Sequence, residues 1–203
     1  MVKINRTYLW LLIIPVILKN SHGAFFKMSK LECRDVNEDL VRVSACRLKA
    51  VKRDITEATI HFQLKKPCIL AIFSYFKLHV ELLRKYNTYQ PFFINRTFDA
   101  CEFLKTRKNA VYLDILFKLI QKYTNANHTC PYEDALIIDR FRPLHNNLIL
   151  PIPTGDYLIK FGFHNMNTLM VHLYVWFGFK ELETWEVGSE AGSPKNPKHN
   201  VNA

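Results

Sequence analysis

Leu169-Met170-Val171-His172-Leu173-Tyr174-Val175-Trp176-Phe177-Gly178-Phe179 is the stretch that decides the fold. Leu169, Val171, Leu173, Val175, Phe177 and Phe179 fall at every second position, and His172, Tyr174 and Trp176 fall between them. A period of two is the mark of a β-strand with one apolar face, because successive side chains point to opposite sides of the sheet. Tyr157–Phe163 precedes it, and the connector His164-Asn165-Met166-Asn167 suits a turn. The two segments therefore read as a hairpin.

The same pattern extends upstream. Ala58-Thr59-Ile60-His61-Phe62-Gln63-Leu64 alternates apolar with polar residues. Within Ile69 to Leu83 the even positions Leu70, Ile72, Phe76, Leu78, Val80 and Leu82 are apolar, and a turn is expected at Tyr86-Asn87-Thr88. Pro91-Phe92-Phe93-Ile94 opens a further extended segment. Strands are also expected near Leu136–Asp139 and Leu148–Ile152, followed by the turn cluster Pro151-Ile152-Pro153-Thr154-Gly155-Asp156.

One segment breaks the rule. Between Asn109 and Tyr123, Leu113, Leu116, Phe117 and Ile120 recur at helical spacing, with Asp114, Lys118 and Lys122 opposite. This predicts one amphipathic helix over about 109–124, with Asn109 as its N-cap, Asn125 closing its end, and Asp114 paired with Lys118 one turn on. About eight short strands and one helix make a mainly β chain, an antiparallel β-sandwich.

The ends of the 203-residue chain read differently. Lys3 and Arg6 precede an apolar run from Tyr8 to Leu18, the layout of a secretory signal peptide, expected to be cut near Gly23–Ala24. That run is too short to span a bilayer, and no later stretch is long enough, so no stable membrane insertion is expected. Residues 24–186 are expected to form a single domain, and 187–203, rich in Gly, Ser, Pro, Lys and Asn, a disordered tail.

Past the leader, 25 Lys and Arg face 18 acids, leaving about +7. These cations are scattered, with no dense stripe or motif for nucleic acid, which is not expected as a partner. Cys33, Cys46, Cys68, Cys101 and Cys130 read as two bridges and one spare thiol in an oxidising compartment. Four cysteines allow three connectivities. No Cys-x-x-Cys pair suggests zinc, and no metal or cofactor is expected. Asn95-Arg96-Thr97 and Asn127-His128-Thr129 are N-glycosylation sequons at Asn95 and Asn127. Asn5-Arg6-Thr7 matches too, within the leader.

The chain has no Gly-rich phosphate loop, no Gly-x-Ser-x-Gly and no His-Glu-x-x-His. His61, His79 and His172 fall on polar faces of strands. Asp99, Glu102, Asp114, Glu133, Asp134 and Asp139 offer carboxylates, but no spacing selects an acid–base pair. A non-enzymatic protein is expected.

Four stretches carry a resemblance. They are Cys46-Arg47-Leu48-Lys49-Ala50-Val51, then Tyr89-Gln90-Pro91-Phe92-Phe93-Ile94-Asn95-Arg96-Thr97-Phe98-Asp99-Ala100-Cys101-Glu102-Phe103-Leu104, then Asn127-His128-Thr129-Cys130-Pro131-Tyr132, and Pro151-Ile152-Pro153-Thr154-Gly155-Asp156-Tyr157. In order and spacing, from about Cys33 to Phe179, the chain resembles a large insect family of secreted domains of unknown function, greatly expanded in flies. That family is in turn distantly similar to the ML lipid-recognition domains. The resemblance implies an Ig-like or ML-like sandwich, an apolar ligand, a tie to chemosensation and no catalytic site. It also implies bridges Cys33–Cys46 and Cys101–Cys130. Cys68 matches no family position.

Two functions follow as expectations. The first is a secreted carrier of a small apolar ligand, lipid- or pheromone-like, held in a cavity lined by Phe62, Leu78, Leu116, Phe161 and Val175. The second is an extracellular module with a filled core that binds a receptor through His172, Tyr174 and Trp176.

Overall fold

A computed structural model describes residues 23–65, 76–107, 110–132, 134–143 and 152–182. The expected leader (apart from Gly23), Cys68, the start of the Ile69–Leu83 segment, most of Leu148–Ile152 and the expected tail lie outside them. Two compact units make up the chain, Ala24–Lys180 and the two ends Met1–Gly23 with Glu181–Ala203. Of the second, only Gly23, Glu181 and Leu182 are described, as ends of strands.

Among the described residues, eight strands and two helices follow one another. They are β1 (Gly23–Arg34), β2 (Val41–Lys52), β3 (Ile55–Leu64), β4 (Phe76–Lys85), β5 (Tyr89–Asp99), α1 (Ala100–Thr106), α2 (Val111–Ile120), β6 (Ala135–Phe141), β7 (Gly155–Asn165) and β8 (Thr168–Leu182). A five-stranded sheet runs β1-β8-β7-β4-β5, and a three-stranded sheet runs β2-β3-β6. The pairs β2–β3, β3–β6, β4–β5, β4–β7 and β7–β8 are all antiparallel. The fold is a mainly β, antiparallel sandwich.

The alternation that predicts β8 is realised as burial of Val171, Leu173, Phe177 and Phe179, with half-buried His172, Tyr174 and Trp176 between them. Its start departs from the expectation. Phe163 pairs with Val171 but His164 with Leu169, so Met170 is an extra residue. This bulge turns Met170 into the core, at 1% exposure, and leaves Leu169 only half-buried. The hairpin turns through Met166 and Asn167, with Met166 at φ 54°, as a tight two-residue loop requires.

The helical region also differs from the sequence reading. The described residues hold two helices, not one, and the expected 109–124 helix runs only from Val111 to Ile120. Its N-cap is Ala110, without a side-chain cap bond; Asn109 lies outside the described residues. Asn125 does not close the helix. Its side-chain amide donates to the carbonyl of Ala135 at 2.7 Å and accepts from the N–H of Ile137 at 2.8 Å, so it docks the chain onto β6. The Asp114–Lys118 ion pair forms as expected, at 2.7 Å. The unexpected helix, α1, starts at Asp99, whose carboxylate accepts from the N–H of Glu102 at 2.9 Å. Asp followed three residues later by Glu is a start signal, and here it outweighs the strand-like residues around it.

The sheets meet face to face. At one end Val41, Ile60, Phe62 and Leu64 pack against Phe76, Met170, Val171 and Leu173. Cys33 of β1 and Cys46 of β2 bridge the sheets there. At the other end the two helices fill the gap: Phe103, Leu113 and Phe117 pack on Phe26, Met28, Tyr157, Ile159 and Phe177. Cys101 of α1 is joined to Cys130 in the segment before β6. Both pairings are those the resemblance implies. Among the described residues no helix is long and apolar enough to cross a membrane.

Candidate ligand cavity

Between the sheets and under the helices lies a cavity of about 220 Å³. Phe26 and Met28 of β1, Leu78 of β4, Ile159 and Phe161 of β7, and Val175 and Phe177 of β8 form one wall. Ala58, Ile60 and Phe62 of β3 and Leu136 and Ile138 of β6 form the opposite one. Phe103 and Leu104 of α1 and Leu113, Leu116 and Phe117 of α2 form the roof. All five residues expected from sequence to line a cavity (Phe62, Leu78, Leu116, Phe161 and Val175) do so.

Several features keep this space open. Ala58, at 1% exposure, puts only a methyl group at the centre of one wall. The β3–β6 register slips between Ala58 and Ile60, opposite Phe141 and Ile138, which bends the three-stranded sheet. The two helices of the roof are tied to each other. Phe103 and Phe117 meet edge to face at 6.0 Å, and the Arg107 guanidinium lies 4.0 Å from the Phe117 ring centre. Arg107 also approaches Asp114 at 3.7 Å, tying the end of α1 to α2.

The cavity is almost wholly apolar. Among the described residues that line it, only Thr124 and Tyr132 carry a side-chain oxygen or nitrogen. The Thr124 hydroxyl accepts from the N–H of Ala126 at 3.1 Å. The Tyr132 hydroxyl donates to the carbonyl of His128 at 2.5 Å. Burial pushes the Tyr132 phenol up to about 12, against a small opposing pull from Arg107. Both hydroxyls are engaged with nearby backbone and the rest of the lining is hydrocarbon or thioether, so the space favours an apolar guest.

A second, smaller cavity of about 40 Å³ adjoins the first. It lies between α2 and edge strand β5 and shares Leu116, Ile159 and Phe177 with the main one.

Other candidate groups do not converge. Asp99 caps α1, Asp114 pairs with Arg107 and Lys118, and Asp139 pairs with Arg140. Glu102 and Asp134 are exposed, and Glu133 lies outside the described residues. His79 meets the Thr97 hydroxyl at 3.0 Å, His172 meets Asp35 at 2.8 Å, and His61 is 4.0 Å from Asp139. Among the described residues no group of three His, Cys, Asp or Glu is placed to hold a metal ion. Asn95, on β5, and Asn127 are both exposed.

The aromatic face expected to meet a receptor is covered from within. Tyr174 and Trp176 stack at 6.0 Å. The Lys30 ammonium lies 4.7 Å from the Trp176 ring centre, and the Arg34 guanidinium 5.0 Å from that of Tyr174. Glu32 pairs with both cations.

Sequence reasoning missed the contributions of β1 and α1 to the cavity. For α1 the Asp99-x-x-Glu102 start signal was available. For β1 the only trace is Phe26 and Met28 on either side of Lys27.

Residues 78–159 match a family described as protein of unknown function (DUF1091). That span is less than half of the chain. It runs from β4 into β7, takes in both helices and β6, and contains three of the four stretches that carry the resemblance. No curated protein matches the chain.

Proposed function

We propose that this protein is a secreted, non-enzymatic carrier that binds a small apolar ligand, lipid- or pheromone-like, between its two sheets, with a place in chemosensation. The observation that carries this reading is the apolar cavity of about 220 Å³. Protein interiors are close-packed, with few voids larger than a water molecule. An unfilled apolar space forfeits the contacts its lining side chains would otherwise make, and an apolar ligand restores them.

Size and chemistry narrow the guest. The volume exceeds the roughly 150 Å³ of an apolar cavity that stays dry and takes up benzene. It falls below the roughly 300–1,000 Å³ of pockets for drug-sized ligands. An uncharged carbon skeleton between those sizes fits; a whole phospholipid does not.

Further support comes from the two disulfides, which suit an oxidising compartment, and from the exposed sequon residues Asn95 and Asn127. A sandwich with an apolar interior is also what the likeness to ML domains implies. The receptor-binding alternative is weaker, because Lys30 and Arg34 already occupy the ring faces of Trp176 and Tyr174.

Native mass spectrometry of the secreted, deglycosylated protein, followed by solvent extraction, tests the proposal. A bound mass of up to a few hundred daltons, released as an apolar compound, is the expected result. An apo mass, with no uptake from a panel of small hydrocarbons and lipids, would refute it.

A further inference from the structure

We infer that ligand reaches the main cavity through the smaller one, between α2 and β5, with Leu116 as the gate and Phe93 and Tyr112 as the outer rim. The inference rests on the carrier reading and adds a route to it.

The partition between the two cavities is formed by Leu116, Ile159 and Phe177. Ile159 and Phe177 are buried and sit on adjacent, fully paired strands. Leu116 is only half-buried and stands on a ten-residue helix without a side-chain N-cap bond. A change of rotamer at Leu116 is the least costly way to join the two spaces.

The smaller cavity leads to an apolar patch on the surface. Of the six large apolar side chains exposed among the described residues, two lie here: Phe93 at 61% and Tyr112 at 38%. Phe93 and Tyr112 both line the smaller cavity, and their rings meet edge to face at 5.0 Å. The backbone is bent to put Phe93 there. Glu81 pairs with Asn95 and Leu83 with Pro91, so Phe92, Phe93 and Ile94 bulge opposite Leu82. Phe93 takes φ 68°, a left-handed conformation that bulky side chains rarely adopt. Such strain gathers where a side chain is held for a task. Among the described residues of the opposite end, Val41 and Val171 are fully buried, Met170 nearly so, and Cys33–Cys46 ties the sheets.

Stopped-flow fluorescence with naphthalene as the probe tests the route on the full secreted protein. Ile115 lines the smaller cavity and not the main one, so Ile115→Trp narrows the path without filling the site. We expect it to slow association and dissociation together, each by about tenfold, with Kd little changed. Phe93→Gly, which suits the positive φ and removes a rim ring, is expected to speed both rates by about threefold. Unchanged rates in both variants would overturn the route while leaving the carrier reading intact. So would a weaker Kd in Ile115→Trp produced by faster dissociation alone. Failure of the unsubstituted protein to bind naphthalene or any other small hydrocarbon would overturn route and carrier reading together.

Discussion

The two faces of β8 are built from alternate residues of one strand, yet they end in opposite states. On the inner face, Val175 and Phe177 border empty space. On the outer face, His172 bonds to Asp35, and Lys30 and Arg34 cover Trp176 and Tyr174. The outer face completes itself with neighbours from β1, whose long charged side chains fold down over aromatic rings. The inner face cannot do so, because its neighbours are fixed by sheet spacing and by the helices above. The contrast teaches where a guest is needed: the outside is satisfied by the chain itself, and the inside is not.

Truncating each face in turn gives the largest expected contrast. Phe177 is buried and stacks on Phe26 at 4.7 Å and on Tyr157 at 5.5 Å. Phe177→Ala is expected to lower stability by about 3–5 kcal/mol in a urea titration. Trp176→Ala, one residue away on the outer face, is expected to cost about 1 kcal/mol, the scale of an exposed cation–π contact. Equal losses at the two positions would erase the distinction between the faces.

Filling the void sharpens the comparison from the other side. Val175→Trp pushes an indole into the cavity, and we expect it to weaken naphthalene binding by about a hundredfold, or about 2.7 kcal/mol. In a close-packed core the same change costs about 1–3 kcal/mol of stability. Here the fold is expected to lose less than about 1 kcal/mol, since the new ring occupies free space. A large loss of stability would mean that the interior is already full.

A pH effect concerns the Tyr132 phenol on the cavity wall. Tyr132 titrates at about 12 in the folded protein, against an ordinary value of 10.0, mainly because burial disfavours its anion. Its neutral form therefore favours folding, fully so below pH 10. That contribution is lost as pH rises from 10 through 12. The expected decline is on the order of 2 kcal/mol. Tyr132→Phe should flatten this part of a pH–stability profile measured by denaturant titration. A profile that keeps its slope would place the titration elsewhere.

Much of this was legible in the chain. The β7–β8 hairpin, the apolar face of β3 and the core of α2 each repeat a local rule over several residues, so pattern alone locates them. Local signals failed where a non-local contact took over. Asn125 looks like a helix stop, but its amide finds a better partner in the edge of β6. Met170 looks solvent-facing, but a bulge against β7 turns it inward. β1 carries little periodicity of its own, and its place beside β8 is decided by the sheet as a whole.

By itself the sequence determined the class of fold, the inward residues of the best strands, and the apolar character of whatever space lies between the sheets. Periodicity and composition are properties of the chain, and they survive folding unchanged. Only the tertiary structure decided that the space is hollow and that a second cavity adjoins it. A void is the small difference between the volume enclosed by the backbone and the volume of the side chains within it. The enclosed volume depends on the register slip at Ala58, the height at which α1 and α2 sit, and the bulge at Phe93. Each of these is set by partners distant in sequence, which no local pattern records.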